Sequence, residues 1–402
     1  MPSTYRLLLL TCLLVSTAVS AQLQAKRTTD PVLKKIIDNN FAAADAQYTV
    51  LSENLPPAKF PKTFYPHKNE YGFSNSGWWC SGFYPGTLLY LYEQSHDDVQ
   101  KKEVFRMLDL LKKEQFNTGT HDLGFMMYCS FGNAYRIFND PAYKEVLLNS
   151  AKSLSTRFNP KTGCIKSWDA KTPGDFLVII DNMMNLELLF WATRVSGDSS
   201  FYKIAVTHAN STVKNHYRPD YSSYHVVNYD PETGDVRERK TNQGFADESA
   251  WSRGQAWGLY GFTVMYRETK NTIYLDQANH IAHFLLAHPN LPADKIPYWD
   301  FNAPGSPQVL RDASAGAIMA SALIELSGYA SPAESGTYLA TAETLLHSLS
   351  SPQYLAAPGT NGGFLIKHCV GSLPAKSEVD VPLAYADYYY VEAMKRYKAI
   401  GT

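Results

Sequence analysis

The chain has 402 residues, and its 37 basic and 38 acidic side chains give a formal net charge of −1. Because no basic run stands out, nucleic acid is not expected as a partner. Aromatic residues make up 13% of the chain, an excess that suits either sugar-stacking surfaces or a large Tyr-rich core.

Residues 1–21 have the pattern of a secretory signal peptide. Arg6 supplies the positive end, an apolar run follows from Leu7 to Ala18, and small residues precede the expected cleavage site. The run is too short for a membrane span, and no later stretch reaches the roughly 18 apolar residues that a span needs. We therefore expect an exported chain, periplasmic or secreted, whose mature part is one domain over residues 22–402.

Hydrophobic periodicity predicts twelve helices along the chain. The odd-numbered helices are amphipathic, as in 141–158, whereas the even-numbered ones are apolar on nearly every side, as in 181–195. A single apolar stripe indicates one buried face, and all-round apolarity indicates burial on every side. The helices are expected at 31–54, 82–95, 97–114, 122–138, 141–158, 179–196, 199–217, 250–270, 272–287, 312–328, 333–350 and 380–399.

The connections alternate in length in the same way. Links from even to odd helices are a few residues long, whereas most links from odd to even helices are long, as in 218–249. Long loops inside a compact domain are usually functional. We therefore predict an all-α, single-domain (α/α)6 barrel, with six inner helices inside six outer ones. The long loops would build a mouth above the N-termini of the inner ring.

An aspartate opens five of the predicted helical stretches, at intervals of 59 to 68 residues. Such a repeat is expected to place several carboxylates around one mouth. The alternative is helix capping, in which the side chain accepts backbone N–H groups. Capping is favoured at the fourth and fifth positions of the series. The five residues are Asp122, Asp181, Asp247, Asp312 and Asp380.

Asp122 and Asp181 differ from the others because their neighbours are apolar. A carboxyl group in an apolar setting near a second carboxylate tends to keep its proton. A general acid needs this property, and two such groups across a barrel mouth suit glycosidic chemistry.

Further candidates lie on the long-loop side of the predicted barrel. Trp251, Arg253 and Trp257 have helix-adjacent spacing, and an arginine near a helix N-terminus suits a carboxylate ligand. The alternative for the arginine is a structural pair with an inner-ring aspartate. The chain lacks the zinc-protease, P-loop, dinucleotide-binding and serine-hydrolase motifs, so those classes lose support.

Several motifs resemble the unsaturated glucuronyl hydrolases of glycoside hydrolase family 88. The resemblance covers most of the mature chain and implies an (α/α)6 barrel. Its motifs are Trp79-Cys-Ser-Gly-Phe-Tyr-Pro-Gly, His121-Asp-Leu-Gly-Phe, Asp181-Asn-Met-Met-Asn-Leu and Ser252-Arg-Gly-Gln-Ala-Trp-Gly.

The resemblance implies an exo-acting enzyme that works after polysaccharide lyases. It would release 4,5-unsaturated glucuronic acid from the non-reducing end of glycosaminoglycan- or ulvan-type oligosaccharides. The reaction implied is hydration of the C4=C5 double bond, with neither a metal nor an organic cofactor. The partner is thus an oligosaccharide that ends in an unsaturated uronic acid, and the protein is expected as a monomer or homodimer.

The resemblance also implies roles for individual residues. Asp181 matches the general acid/base, and Asp122 matches the second essential carboxylate. The shell around the unsaturated ring and its carboxylate corresponds to His225, Gln243, Arg253 and Trp257. The other substrate-contacting positions correspond to Trp79, Phe83, His121, Gly124 and Trp168.

The segment before the last helix is relevant to the recognition of sulfated substrates. Family members that act on sulfated glycosaminoglycans carry a serine- and lysine-bearing motif there, whereas Cys369 and Pro374 stand at those positions here. Ser372, with Lys376 and Ser377, is the alternative binding group. The choice among chondroitin, heparin, hyaluronan and ulvan fragments therefore stays open.

Three other functions remain as alternatives. The first is an unsaturated rhamnogalacturonyl-type hydrolase of the sister family, with the same barrel and aspartate pair. The second is an inverting glycosidase that acts on saturated sugars. The third is an exported carbohydrate-binding protein without catalytic activity.

Overall fold

Twelve α-helices run through the computed structural model, which describes residues 28–169, 172–305 and 308–401. The predicted signal peptide, residues 1–21, lies outside the described residues. The helices are α1 Pro31–Glu53, α2 Phe83–Ser95, α3 Asp98–Leu111, α4 Asn133–Phe138, α5 Pro141–Ser155, α6 Leu186–Ser196, α7 Ser199–Asn215, α8 Ser252–Thr269, α9 Thr272–Ala287, α10 Ala313–Leu326, α11 Pro332–Leu349 and α12 Ala384–Lys398.

The even-numbered helices form a closed inner ring, and each odd-numbered helix packs outside it. In α8 every residue from Ser252 to Met265 is buried, whereas α1 buries Leu33, Ile37, Phe41 and other positions at helical spacing. The predicted (α/α)6 barrel is therefore observed. The two hydrophobic patterns that predicted it correspond to inner and outer helices.

Two inner helices begin with tighter or wider turns than an α-helix. A π-helix spans Gly124–Gly132 before α4, and a 3-10 helix spans Ile180–Asn185 before α6. Asp122 lies just before the π-helix, and Asp181 lies in the first turn of the 3-10 helix. Unusual helical turns of this kind are frequent at functional sites.

The outer helices are capped, and most inner ones are not. Each outer helix begins after an aspartate, asparagine or serine whose side chain accepts a backbone N–H, such as Asp140 before α5. In the inner ring, Asp312 caps α10 in this way, and the N-cap residues of the other described inner elements make no side-chain cap hydrogen bond. Other segments of the chain accept N–H groups there instead, as when the Ser252 N–H donates to the Trp299 carbonyl at 3.2 Å.

The prediction that an aspartate opens the helical stretch was wrong at Asp247 and at Asp380. Asp247 lies five residues before α8, and its side chain accepts the Thr241 N–H at 2.8 Å. Asp380 lies in a strand with φ of 55°, and α12 begins only at Ala384. Pro382 explains the late start, because the residue before a proline is disfavoured in helical geometry.

Nine short strands, which the hydrophobic periodicity did not predict, lie in the long loops of the described residues. They form three antiparallel hairpins, β1–β2, β3–β4 and β8–β9, and one antiparallel sheet in the order β5-β6-β7. The strands are β1 Phe60–Tyr65, β2 Glu70–Ser74, β3 Phe158–Asn159, β4 Cys164–Ile165, β5 Phe176–Ile179, β6 Val226–Tyr229, β7 Val236–Lys240, β8 Cys369–Ser372 and β9 Ser377–Val381.

The four cysteines within the described residues are free, and three of them are buried. No helix in the described part of the chain is both long and apolar enough to cross a membrane.

Candidate active site

A cavity of about 300 Å³ opens at the end of the barrel where the inner helices begin. Its wall combines carboxyl groups, an arginine, amides and tryptophans from several long loops. The lining residues are Trp78, Trp79, His121, Asp122, Trp168, Ile179, Asp181, Asn242, Gln243, Arg253, Gly371, Ser372, Ala375, Ser377, Glu378 and Tyr385.

Pairing between β5 and β6 determines where Asp181 lies. The two strands continue past Ile179, because the Ile180 N–H donates to the His225 carbonyl at 3.0 Å. The chain then turns into the 3-10 helix, so Asp181 enters the cavity directly after a buried strand. The sheet therefore brings two loops that are far apart in sequence to one point, with Asp181 beside His225.

The carboxyl group of Asp181 holds a proton unusually well. Burial is the largest cause, and it raises the pKa of Asp181 to about 7, with a smaller upward contribution from the Asp122 charge. Arg253 and the Trp257 indole oppose this rise in pKa. The predicted direction of the pKa shift is confirmed, although burial contributes more than the neighbouring carboxylate. A carboxylic acid near pH 7 can protonate a substrate.

Asp122 lies on the same cavity wall, next to the start of the π-helix. Its Oδ2 accepts a hydrogen bond from the Thr120 hydroxyl at 2.7 Å, and its Oδ1 lies 3.3 Å from His121 Nε2. Burial lowers the pKa of His121, which favours a neutral ring beside this carboxylate. Asp122 is therefore oriented by its own chain neighbours and can stabilise positive charge on a bound sugar.

Hydrogen bonds fix the tautomer of His225. Its Nδ1 accepts backbone N–H groups from Asn242 at 3.1 Å and Gln243 at 3.2 Å. Burial lowers the pKa of His225 to about 3, so the ring is neutral and its proton must lie on Nε2. That N–H faces Asp181, with Nε2 3.8 Å from Oδ2.

Several buried polar atoms around Asp181 lack a hydrogen-bond partner within the described chain. They include Asp181 Oδ2, His225 Nε2, Trp257 Nε1 and both ring nitrogens of His121. Buried polar groups are normally satisfied, and an unsatisfied one costs free energy. Their clustering at one end of the cavity indicates a place for a polar ligand or water.

Arg253 and Gln243 hold a loop in addition to lining the cavity. Arg253 Nη1 pairs with Asp312 Oδ2 at 3.0 Å, while its Nη2 donates to the Gly371 carbonyl at 2.6 Å. Gln243 Nε2 donates to the same carbonyl at 3.0 Å. The contacts of Arg253 in the structure are therefore those of the structural alternative, a pair with an inner-ring aspartate. Together the two side chains anchor the β8–β9 hairpin over the barrel mouth.

The structure brings most predicted site residues to this cavity, but not all of them. Trp79, Trp168 and Ser372 line it, together with the predicted residues described above. Phe83 and Trp257 are fully buried behind the wall, and His225 is also absent from the lining. Gly124 packs on a neighbouring helix, where an added Cβ would lie 2.5 Å from the Asn185 Cα. Their proposed substrate contacts stay predictions.

Sequence reasoning missed part of the rim. Glu378 of β9 lines the cavity and pairs with Lys62 of β1 at 3.1 Å, and Lys62 lies over the Trp78 ring. Asn242 and Tyr385 also contribute to the wall. A glutamate in a short strand gives no sequence signal of its own, because the hairpins were not predicted.

A larger cavity of about 540 Å³ also lies within the described part of the chain. Its charged residues already have partners. Glu392 accepts hydrogen bonds from the hydroxyl groups of Tyr260 and Ser321, and Arg396 forms a salt bridge with Glu325 at 2.7 Å. The smaller cavity is the candidate active site because its buried polar atoms remain unsatisfied.

Comparison with known proteins gives the family. The sequence profile of Glycosyl Hydrolase Family 88 matches residues 58–401. The chain belongs to this family. It is 48% identical over 322 residues to the unsaturated glucuronyl hydrolase of Formosa agariphila, an alignment that covers 79% of each chain.

Two solved structures extend this comparison. An unsaturated glucuronyl hydrolase specific for heparin is 46% identical, with a TM-score of 0.88 and coverage of 91% of this chain and 98% of that one. A variant of the Streptococcus agalactiae enzyme, complexed with dGlcA-GalNAc6S, is 28% identical, with a TM-score of 0.76 and coverage of 93% and 95%. The predicted family, barrel fold and glycoside hydrolase class are confirmed. The family match leaves the sister-family alternative without support.

Proposed function

We propose that this family 88 enzyme is an unsaturated glucuronyl hydrolase acting on oligosaccharides derived from glycosaminoglycans. It removes the 4,5-unsaturated glucuronic acid from the non-reducing end. The observation that carries the proposal is the buried Asp181 carboxyl, whose pKa of about 7 keeps a proton available inside the cavity. The family membership and the similar enzymes named above give the substrate class.

The first step of the proposed reaction is proton transfer from Asp181 to C4 of the sugar. The C4=C5 electron pair forms the new C–H bond, and positive charge develops at C5 and the ring oxygen. Asp122 stabilises this charge through its carboxylate, which lies in the same cavity. The pKa of Asp181 suits this step, since an acid works best when its pKa is near the working pH.

Water then adds at C5, and the ionised Asp181 takes its proton back from that water. The product is a hemiketal, whose ring opens as the C5–O bond breaks. The opened sugar carries a hemiacetal at C1, and its collapse expels the leaving sugar. The cycle returns Asp181 to its protonated form, so the same residue serves as acid and then as base.

The surrounding groups support this cycle without exchanging protons themselves. His225 directs a fixed N–H towards Asp181, which can stabilise the carboxylate after proton transfer. Trp79 and Trp168 offer aromatic faces to the sugar, and Arg253 supplies positive charge for the uronate. Because Arg253 also anchors the β8–β9 hairpin, substrate binding and hairpin position are linked in this proposal.

The direct test is a panel of lyase-generated unsaturated disaccharides, followed by the loss of alkene absorbance. Wild type should consume members of the panel and leave the matching saturated disaccharides intact. Asp181→Asn should bind but lose nearly all turnover. Hydrolysis of the saturated sugars would favour an inverting glycosidase, and binding without turnover by wild type would favour a carbohydrate-binding protein.

We also propose that the enzyme is exported and acts in the periplasm or the medium. The signal-like pattern of residues 1–21 supports this. Mass spectrometry of the protein purified from its native cells should find a mature N-terminus after Ala21. An intact N-terminus in the cytoplasm would contradict it.

A further inference from the structure

Two buried asparagines belong to the same short helix as Asp181 and contact the neighbouring segments. Asn182 and Asn185 belong to the 3-10 helix that starts at Ile180, and both are fully buried. A 3-10 helix has three residues per turn, so residues three apart lie on the same side. The two amides therefore form one face of the element that carries Asp181.

Asn185 makes the clearer of the two contacts. Its Oδ1 accepts the Phe125 backbone N–H at 3.1 Å, in the first turn of the π-helix that follows Asp122. That N–H has no partner within its own helix, so Asn185 caps one inner helix from another. Gly124 makes the approach close, since an added Cβ would also lie 2.7 Å from Asn185 Oδ1.

Asn182 contacts a different neighbour of the 3-10 helix. Its Nδ2 donates to the Ile165 carbonyl at 2.7 Å, which leaves its Oδ1 available for another group. Ile165 belongs to β4. Asn182 therefore holds the 3-10 helix to β4, while Asn185 holds the same helix to the π-helix that follows Asp122.

We propose that Asn182 and Asn185 are positioning residues that hold Asp122 and Asp181 at a fixed mutual distance and orientation. The inference rests on the proposed function, because it gives the two carboxyl groups their catalytic use. A displacement of about 1 Å in an active site can reduce the rate about 100-fold. Neither asparagine is among the residues lining the cavity, so the effect acts through the two aspartates.

The test compares three variants that perturb this contact in different ways. Asn185→Ala removes the acceptor, Gly124→Ala pushes the two segments apart, and Asn185→Asp keeps an acceptor oxygen in place. The first two should lower kcat roughly 10- to 100-fold while KM changes less than about threefold. Asn185→Asp should recover part of the lost kcat.

A matched control separates positioning from general destabilisation. Gln47 of the outer helix α1 is also buried, and its Oε1 accepts the Gly359 N–H at 2.6 Å. Neither of these two residues lines the cavity. Gln47→Ala should lower the melting temperature about as much as Asn185→Ala, yet keep kcat within about twofold. Equal losses of kcat in the two variants would overturn the inference.

The carboxyl pKa values give a readout that does not need substrate. Because the Asp122 charge raises the pKa of Asp181, separating the groups should lower that pKa. Carbon-13 NMR titration of the Asp181 carboxyl should therefore show a lower pKa in Asn185→Ala and Gly124→Ala than in Gln47→Ala. An unchanged pKa together with an unchanged kcat would refute positioning. If wild type fails to consume any unsaturated disaccharide, the proposed function fails, and the titration still tests the asparagines.

Discussion

Replacing Asp181 by asparagine should stabilise the folded enzyme while it abolishes turnover. The reason is that the folded protein raises the carboxyl pKa from 3.8 to about 7. Each pKa unit corresponds to about 1.4 kcal/mol, so ionisation of this group disfavours the native state by about 4 kcal/mol above pH 7. Asparagine has nearly the same shape and does not ionise.

The sign of the pH dependence follows from the two pKa values. Below pH 3.8 the carboxyl is protonated in the folded and unfolded chains, and it contributes no pH-dependent difference. As the pH rises towards 7, the unfolded chain loses this proton first, so wild type loses stability relative to Asp181→Asn. Above pH 7 the difference is constant at its full value.

Thermal unfolding from pH 4 to pH 8 provides the assay. With an unfolding entropy of about 2 cal/mol/K per residue, 4 kcal/mol corresponds to about 5 °C in a chain of this size. The melting temperature of Asp181→Asn minus that of wild type should therefore increase by about 5 °C across this range. Other ionisable groups are common to both proteins and cancel. A difference that does not depend on pH would refute a raised pKa at Asp181, and with it the acid role.

Three further predictions concern neighbouring groups. In Asp122→Asn, the pH above which kcat/KM falls should shift downwards, because this limit is set by Asp181 and the Asp122 charge raises the pKa of Asp181. An unchanged limit in the pH profile would show that the two groups do not interact. Asp387→Asn should destabilise the protein by about 1 to 3 kcal/mol at pH 4, because both carboxyl oxygens accept backbone N–H groups at 2.9 Å. This loss should shrink as the pH rises, because burial raises the pKa of Asp387 to about 7 and the variant removes that ionisable group; urea denaturation at pH 4 and pH 8 measures this, and a loss that does not depend on pH would contradict it. Arg253→Ala should raise KM and lower stability by about 3 to 5 kcal/mol, since it leaves Asp312 buried and unpaired; an unchanged KM with lost stability would make the arginine purely structural.

The sequence predicts the barrel well because its helices carry two distinct hydrophobic patterns. A helix that is buried on every side, such as α10, differs strongly in composition from a striped one such as α5. The sequence predicts the ends of the helices less accurately. Asp380 looked like a helix start, but Pro382 and the antiparallel partner strand β8 keep it in a strand.

The site is only partly predictable for a similar reason. Asp122 and Asp181 could be singled out because each lies beside an apolar segment, which favours burial. The pairing of β5 with β6 brings His225 to Asp181, and short strands of four residues give little periodic signal. Glu378 reaches the cavity through such a hairpin. The contact between Asn185 and Phe125 depends on a π-helix, whose turns are set by tertiary packing.

Proton transfer to the double bond is the claim on which the account depends most. Turnover of an unsaturated disaccharide in D2O, with NMR analysis of the released acid, tests it directly. Protonation by Asp181 predicts one deuteron on C4 of the product and no label at the anomeric carbon. A product with an intact double bond and no deuterium at C4 would mean that the glycosidic bond is attacked directly, and the mechanism would be wrong.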